Sequence, residues 1–493
     1  MTDDNLINLQ KQRERIAKQL SSNSEDILTT GTHFQTRDIA EEHEPELKRM
    51  NDKYAFIDSI SGKPMILAKV YNEVFGKKIF EYILPEAIKT IYQNTLVDAS
   101  TKSGKDSLMR MGDWWLGHAH RRTYKTTTFE PEKEPGEYIL ENDAYFNMWE
   151  GLAVQPKKGS WKKTRTHIYR ILCNSDKEKF KYVMRWFAYA VQYPGKPAQV
   201  ALIFKGKKGT GKGVILQSMA RLFGRHGLVV ANREHLTGKY NQHLEFSTYL
   251  YADEAYYPGD KEVEGVLKNL ITEPTLAIEA KFRNLKICKN CLHITMSTNS
   301  DWVIPATEDE RRYFINEIDN KYAKGDCADY IRNKYFTDIW DEIQGDGLGA
   351  MLYDLLHISL NRWAPRDNIP ETEELKKQIS LTLPKVKYCI LELLEEGTFP
   401  GAINYKGEYT ITSRNLMSYI HNLDPSYKTI TSRGLASFMK VLGIVPSRTN
   451  KSRIYVFPEL NLLRAIWSER VNRHTEWNLE EKWLVETVKD VEY

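Results

Sequence analysis

Three apolar runs without alternation stand in the middle of the chain: QVALIF (199–204), STYLYA (247–252) and LHITM (292–296). Unbroken runs of this length read as strands buried on both faces. Helical periodicity separates them, first over 214–222. The alternation continues to about Asp319 and predicts an α/β parallel sheet. The amphipathic stretch EKFKYVMRWFAYAVQYP leads into it and reads as a helix stopped by Pro194.

The flanks follow other patterns. Residues 1–50 are polar and read as an exposed helix and a tether. Residues 51–165 open with strand-prone Tyr54, Phe56 and Ile57 and a turn at Ser61 and Gly62, which predicts a hairpin within a mixed α/β domain. Trp114 and Trp115, beside His118, His120, Arg121 and Arg122, read as core, with nucleic-acid stacking as the lesser alternative. Residues 166–320 hold the α/β core and its leading helix. Residues 321–370 read as a helical extension, broken between Gly345 and Gly349, and a linker. From 371 to 493 the pattern changes to three helices and a hairpin. The first helix lies around 386–394. The second is capped by Thr412 or Ser413, with Leu416, Ile420 and Leu423 on one face. The third turns Leu435, Phe438 or Met439, and Leu442 inward and stops at Gly443. The hairpin turns near 449–451. That order is the plan of a winged helix.

Length and composition narrow the partners. A chain of 493 residues accommodates two to four domains, and 41% hydrophobic with 28% charged residues is ordinary for a globular protein. A net charge of +4 means that nucleic acid would be met by local basic patches rather than a global field. Five scattered cysteines make no disulfide framework and point to a reducing cytoplasm. The first twenty residues carry charges throughout, and no apolar run approaches spanning length, so neither a leader nor a membrane partner is expected. Cys288 and Cys291 with His293 lack a second ligand pair, so zinc is not expected.

The chemistry gathers at the ends of the apolar runs. After the first comes GKKGTGK, Gly206 to Lys212, which fits the phosphate-cradling pattern G-x-x-x-x-G-K between a strand and a helix. Backbone N–H groups of Gly206, Gly209, Thr210, Gly211, Lys212, Gly213 and Val214 are the candidate nucleotide contacts, and Lys212 supplies the charge for the β- and γ-phosphates. Gly213 stands where a Ser or Thr hydroxyl ordinarily reaches Mg²⁺. The second run ends in Asp253, a candidate for the metal, and Glu254, a candidate to deprotonate attacking water. The third ends at Asn299, whose amide suits a γ-phosphate or a water. Arg311 and Arg312 precede another strand, and either is a candidate to stabilise transition-state charge at a neighbouring subunit.

This series, with STNSDWVIPATEDERRYF, resembles the superfamily 3 helicase module of phage and viral primase-helicases, a branch of the AAA+ ATPases. The motifs cover roughly 200–320, and YFNMWEGLAVQPKKG extends the likeness toward residue 50. The resemblance implies an AAA+ P-loop ATPase core, ATP with Mg²⁺, and a homo-hexameric ring that hydrolyses ATP between subunits and moves on single-stranded DNA at a fork. It makes Lys212 the Walker A lysine, Asp253 and Glu254 the Walker B pair, Asn299 sensor 1, and Arg312 the favoured trans arginine. Many relatives carry a primase domain first. Here the D-x-E at Asp176 and Glu178 opens a polar helix, so priming is not expected.

The resemblance also implies a DNA-contacting hairpin before Asn299. Lys281, Phe282, Arg283 and Lys286 are its candidates, with Lys289 weaker. In the C-terminal domain Arg433, Arg448, Lys451 and Arg453 would face duplex DNA, such as a replication origin. The alternative is an origin-binding initiator or loader with ATP as its switch.

Overall fold

A computed structural model describes residues 44–99, 108–255, 261–281, 284–301, 303–306, 310–382, 385–448, 453–471, 475, 477–478 and 482–485. They divide into two compact units. The larger runs to Ser300 and resumes over Arg311–Pro370; the smaller comprises Asp301–Glu310 and the chain from Glu371.

In the larger unit, the helix Glu44–Lys53 feeds directly into β1 (Tyr54–Ile60). A tight turn leads to β2 (Lys63–Asn72), and β3 (Lys77–Ile83) follows. Ser61 and Gly62 take positive φ of 51° and 83°, which lets two residues reverse the chain. With β4 (Thr123–Tyr124), the sheet order is β3–β2–β1–β4. Asn51 ties this region together: its side chain accepts from Trp115 Nε1 at 2.9 Å and from the Arg122 N–H at 2.8 Å. Trp114 and Trp115 are buried. The expected boundaries at 50/51 and 165/166 both fall inside helices, the second inside α1 (Lys162–His167). Leu47 and Met50 belong to the same core as Trp115.

The central sheet is wholly parallel. Its strands are β5 (Ala201–Lys205), β6 (Gly227–Val230), β7 (Tyr249–Asp253), β10 (His293–Thr298) and β11 (Tyr313–Glu317), in the order β6–β7–β10–β5–β11. The hairpin of β8 (Thr275–Ile278) and β9 (Lys286–Lys289) intervenes in sequence. Every residue of β5 and β10 is buried, which is why these runs carry no alternation. Two tyrosines of β7 satisfy their hydroxyls on β10: Tyr249 with Thr295 Oγ1 at 2.7 Å, and Tyr251 with Ser297 Oγ at 2.9 Å.

Helices cover the sheet. The leading helix α2 (Lys177–Gln192) is capped by Asp176, whose carboxylate accepts from the N–H groups of Glu178 and Lys179. This gives the D-x-E acid a local structural job. The helix α3 (Lys212–Phe223) follows β5. The expected glycine break is a wide turn over Ile343–Gly347 between α4 (Asp329–Glu342) and α5 (Leu348–His357). At the far end of α2, Gln192 Nε2 donates to the carbonyls of Leu355 and Ile358 at 2.8 and 2.9 Å, pinning it to α5.

The smaller unit contains α6 (Lys385–Glu396), α7 (Ser413–Leu423) and α8 (Ser432–Val441). Its antiparallel sheet is ordered β12–β13–β15–β14, with β12 (Ala402–Ile403), β13 (Tyr409–Thr412), β14 (Ser447–Arg448) and β15 (Arg453–Phe457). Thr412 and Thr431 cap α7 and α8 through their hydroxyls. Leu416, Ile420, Leu435, Phe438, Met439 and Leu442 form the core. Leu423 differs from expectation: it is the last residue of α7 and 38% exposed, because the helix ends before its face is covered. Among the described residues no helix is long and apolar enough to cross a membrane.

Candidate functional site

The loop between β5 and α3 lies at the C-terminal edge of the parallel sheet, where such folds bind ligands. It is held from three sides. The Gly206 N–H donates to the Thr298 carbonyl at 3.1 Å, the Lys207 N–H to Asn320 Oδ1 at 3.0 Å, and the Lys324 N–H to the Lys208 carbonyl at 3.1 Å. Gly209 and Gly211 take φ of 79° and 92°, conformations that disfavour any side chain. Gly211 is also crowded: a Cβ there would stand 2.5 Å from Phe336 and 2.7 Å from His167. Thr210 is buried and its hydroxyl donates to the Lys207 carbonyl at 2.9 Å, so it stabilises the loop from within.

Lys212 turns back over this loop. Its ammonium donates to the Gly206 carbonyl, to the Lys207 carbonyl at 3.0 Å and to Asn299 Oδ1 at 3.0 Å. Burial pulls its pKa down to about 8, against the opposing influence of Glu254 and then Asp253. The Asn299 amide in turn donates to Glu254 Oε1. Lys212, Asn299 and Glu254 are therefore one hydrogen-bonded series. Glu254 has φ of 53°, a left-handed conformation that costs a non-glycine residue about 1–2 kcal/mol. Asp253 lies beside it, with Oδ1 accepting from Ser297 Oγ at 2.6 Å.

Among the described residues no group of three or more His, Cys, Asp or Glu converges as a metal cage. A lone Asp253 with a hydroxyl neighbour and an adjacent glutamate suits Mg²⁺, which binds through one or two carboxylates and keeps water and phosphate ligands.

Arg311 and Arg312 are not part of this cluster. They precede Tyr313, which pairs with Ala201 at the start of β5, and the Arg312 carbonyl accepts from the Ala201 N–H at 2.8 Å. The glycine-rich loop follows Lys205 at the other end of the same strand. The arginines thus sit at the opposite sheet edge, a strand length of about 13 Å away. Arg311 is exposed and Arg312 partly buried. Close by, Arg185, Arg362 and Arg366 line a cavity of about 620 Å³ with Trp363 and Asp367. The Arg366 guanidinium is held below the ordinary arginine range by partial burial, then by the charges of Arg311 and Arg312. Asp367 accepts from the Ala364 N–H. Among the described residues, Arg185, Arg311, Arg362 and Arg366 have no carboxylate partner.

Two contributors to the loop were not read from the sequence. His167, at the end of α1, is fully buried, with Nδ1 3.0 Å from the Tyr335 hydroxyl and Nε2 facing the Gly211 backbone without a well-formed hydrogen bond. Burial pushes it down to about 4, so it is neutral at pH 7. Arg332 of α4 reaches over Gly209: its Nη1 would lie 3.1 Å from a Cβ there. Its Nη2 donates to Asp329 at 3.0 Å, and its buried Nε has no partner among the described residues. Neither residue belongs to a local motif, and only the fold brings them to the loop.

The hairpin candidates divide. Lys281 is exposed, with its ammonium 5.6 Å from the Tyr240 ring centre. Lys286 is paired with buried Glu245 at 2.6 Å, and Lys289 with Glu130 at 3.3 Å, so both anchor the hairpin. Asn284 at the tip donates to the Ser61 carbonyl at 3.1 Å. Phe282 and Arg283 lie outside the described residues, as do Lys451 and the Arg448 side chain. Arg433 and Arg453 are exposed on α8 and β15.

Residues 204–312, from the end of β5 through Arg312, match a family of unknown function (DUF5906). A curated relative, the DNA primase-polymerase of Nitratiruptor phage NrS-1, is 25% identical over 274 residues, 54% of this chain and 36% of the relative. The chain thus matches little more than a third of that protein's length. Two apo structures of the NrS-1 C-terminal region share the fold, at 18% and 20% identity and TM-scores of 0.55 and 0.56. Each alignment covers 82% of this chain, and 95% and 96% of the respective region.

Proposed function

We propose that the chain is an ATP-driven replicative DNA helicase of a phage or related element, built on an AAA+ core with a C-terminal winged helix. It would act as a ring on single-stranded DNA, with each ATP held between two copies. The observation that carries the proposal is the split of charged groups between sheet edges. Lys212, Asn299, Glu254 and Asp253 gather at one edge. At the other lie Arg312 and, without a carboxylate partner among the described residues, Arg311 and Arg366. No single copy can apply both to one phosphate. A head-to-tail neighbour can, and such contacts close into rings. The strand order, with β5 between β10 and β11, and the likeness to a phage replication protein support the same reading.

Each residue has a role that follows from its place. ATP phosphates take over the donors now turned inward, so Lys212 exchanges backbone carbonyls for phosphate oxygens. Asp253 would hold Mg²⁺, which when bound neutralises charge on the phosphates. Asn299, released from Lys212, orients the γ-phosphate or the water. Glu254 receives the proton of the attacking water. Arg311 and Arg312 of the next copy stabilise charge as the γ-phosphoryl leaves. Arg332 adds a cation over the loop of its own copy.

The test is ATP turnover with and without single-stranded DNA, beside particle imaging and forked-duplex unwinding. DNA-stimulated turnover by rings, abolished in Lys212→Ala, is expected. Unchanged turnover in that variant would refute the ATPase reading. Turnover without unwinding would leave a motor or switch, and site-specific duplex binding that survives Lys212→Ala would favour the initiator.

A further inference from the structure

A second hydroxyl stands beside the position where the loop lacks one, and the role it suggests rests on the loop being a nucleotide site. Gly213 is not demanded by packing. Its φ is not positive, and a Cβ there would meet the Tyr251 hydroxyl oxygen at 3.5 Å and Gln217 Nε2 at 3.8 Å, both ordinary contacts. The space a serine hydroxyl would enter is therefore bounded by the Tyr251 phenol. Tyr251 is wholly buried, its hydroxyl included, so its oxygen is fixed by the sheet rather than by the loop, and a magnesium-bound water meets it only when the loop rearranges on binding nucleotide.

Proton accounting gives that oxygen a direction. Ser297 Oγ has one proton and donates it to Asp253 Oδ1 at 2.6 Å. In the 2.9 Å contact between Tyr251 and Ser297 the phenol must then donate. Its oxygen keeps its acceptor capacity beside Gly213, and the line Tyr251–Ser297–Asp253 fixes the carboxylate. The neighbouring pair, Tyr249 with Thr295 at 2.7 Å, has the same chemistry one rung deeper. It provides an internal comparison, because Tyr251 and Ser297, not Tyr249 and Thr295, connect to Asp253.

We propose that Tyr251, with Ser297, does the work of the absent loop hydroxyl: it presents an acceptor oxygen to the hydrated Mg²⁺ of the bound nucleotide and positions Asp253. Tyr251 is a positioning residue in this arrangement. It explains how the loop functions with glycine at 213.

The experiment is equilibrium binding of a fluorescent ATP analogue to the full chain across a magnesium titration. Loss of one ordinary hydrogen bond sets the expected scale: in Tyr251→Phe the magnesium required for half-maximal binding rises by about five- to tenfold. Tyr249→Phe loses an equivalent buried hydroxyl and should leave the requirement unchanged. Adding Gly213→Ser to Tyr251→Phe should restore it. An unshifted requirement in Tyr251→Phe, or an equal shift in Tyr249→Phe, would overturn the inference. Nucleotide binding by the unmodified chain that ignores magnesium would overturn this inference alone; no binding at all would overturn the nucleotide reading and this inference with it.

Discussion

If the loop binds a nucleotide as proposed, Lys212 should make its affinity depend on pH in a window where a surface lysine would not. Its ammonium is buried under the loop with a pKa of about 8, below the ordinary 10.5. A bound phosphate would favour the charged form and raise the lysine's pKa again. The complex would therefore hold more protons than the free site, and affinity should fall as pH rises above 8. At pH 9 about one free site in ten carries the charge, so affinity should drop about tenfold, or about 1.4 kcal/mol. Below pH 7 the curve should be flat. Folding runs the other way. Between about 8 and 10.5 the unfolded chain holds the proton that the folded chain has lost, so this group's burden on stability eases as pH rises through that window. The assay is binding of a fluorescent ATP analogue from pH 6.5 to 9.5, with Lys212→Arg as the non-titrating control. A wild-type profile flat to pH 9.5, or an equal fall in Lys212→Arg, would refute the reasoning.

Other expectations come from particular contacts. Asn299→Ala removes the bridge between Lys212 and Glu254, and turnover should fall about 10²-fold, the scale for one positioned donor, with nucleotide affinity changed far less; rapid-quench turnover beside equilibrium binding separates the two. In the smaller unit, buried Gln378 accepts from the Val303 N–H at 2.7 Å and donates to the Asp301 carbonyl at 2.6 Å, so Gln378→Leu should cost about 1–3 kcal/mol in a denaturant melt. If Arg433 and Arg453 contact phosphates, replacing each with alanine should weaken duplex binding across sequences and reduce the salt slope by about one per residue. An unchanged slope would remove them from the interface.

The sequence disclosed whatever depends on neighbours along the chain. The central strands were legible because burial on both faces removes alternation, as in β5 and β10. The loop was legible because glycine is required at φ of 79° and 92°. What depends on distant partners was not. Arg185 and Arg366 are far apart in the chain and meet only when α2 packs beside the segment after α5. His167 and Arg332 reach the loop from opposite sides of the sequence. Lys286 read as a free cation until the fold supplied Glu245, and Tyr251 read as one more apolar strand residue until the fold placed its hydroxyl beside Gly213. Residues 301–310 leave the larger unit after Ser300 and return at Arg311, a detour without a local signal.

The central claim is that two copies share each nucleotide, and co-assembly of two defective chains tests it directly. One carries Lys212→Ala and the other Arg311→Ala with Arg312→Ala; each alone should be inactive. Mixed at equal ratio in head-to-tail rings, about a quarter of the contacts should join an intact loop to intact arginines. Turnover approaching that fraction of wild type is the expected result. Mixed rings with no more turnover than either parent would contradict the account.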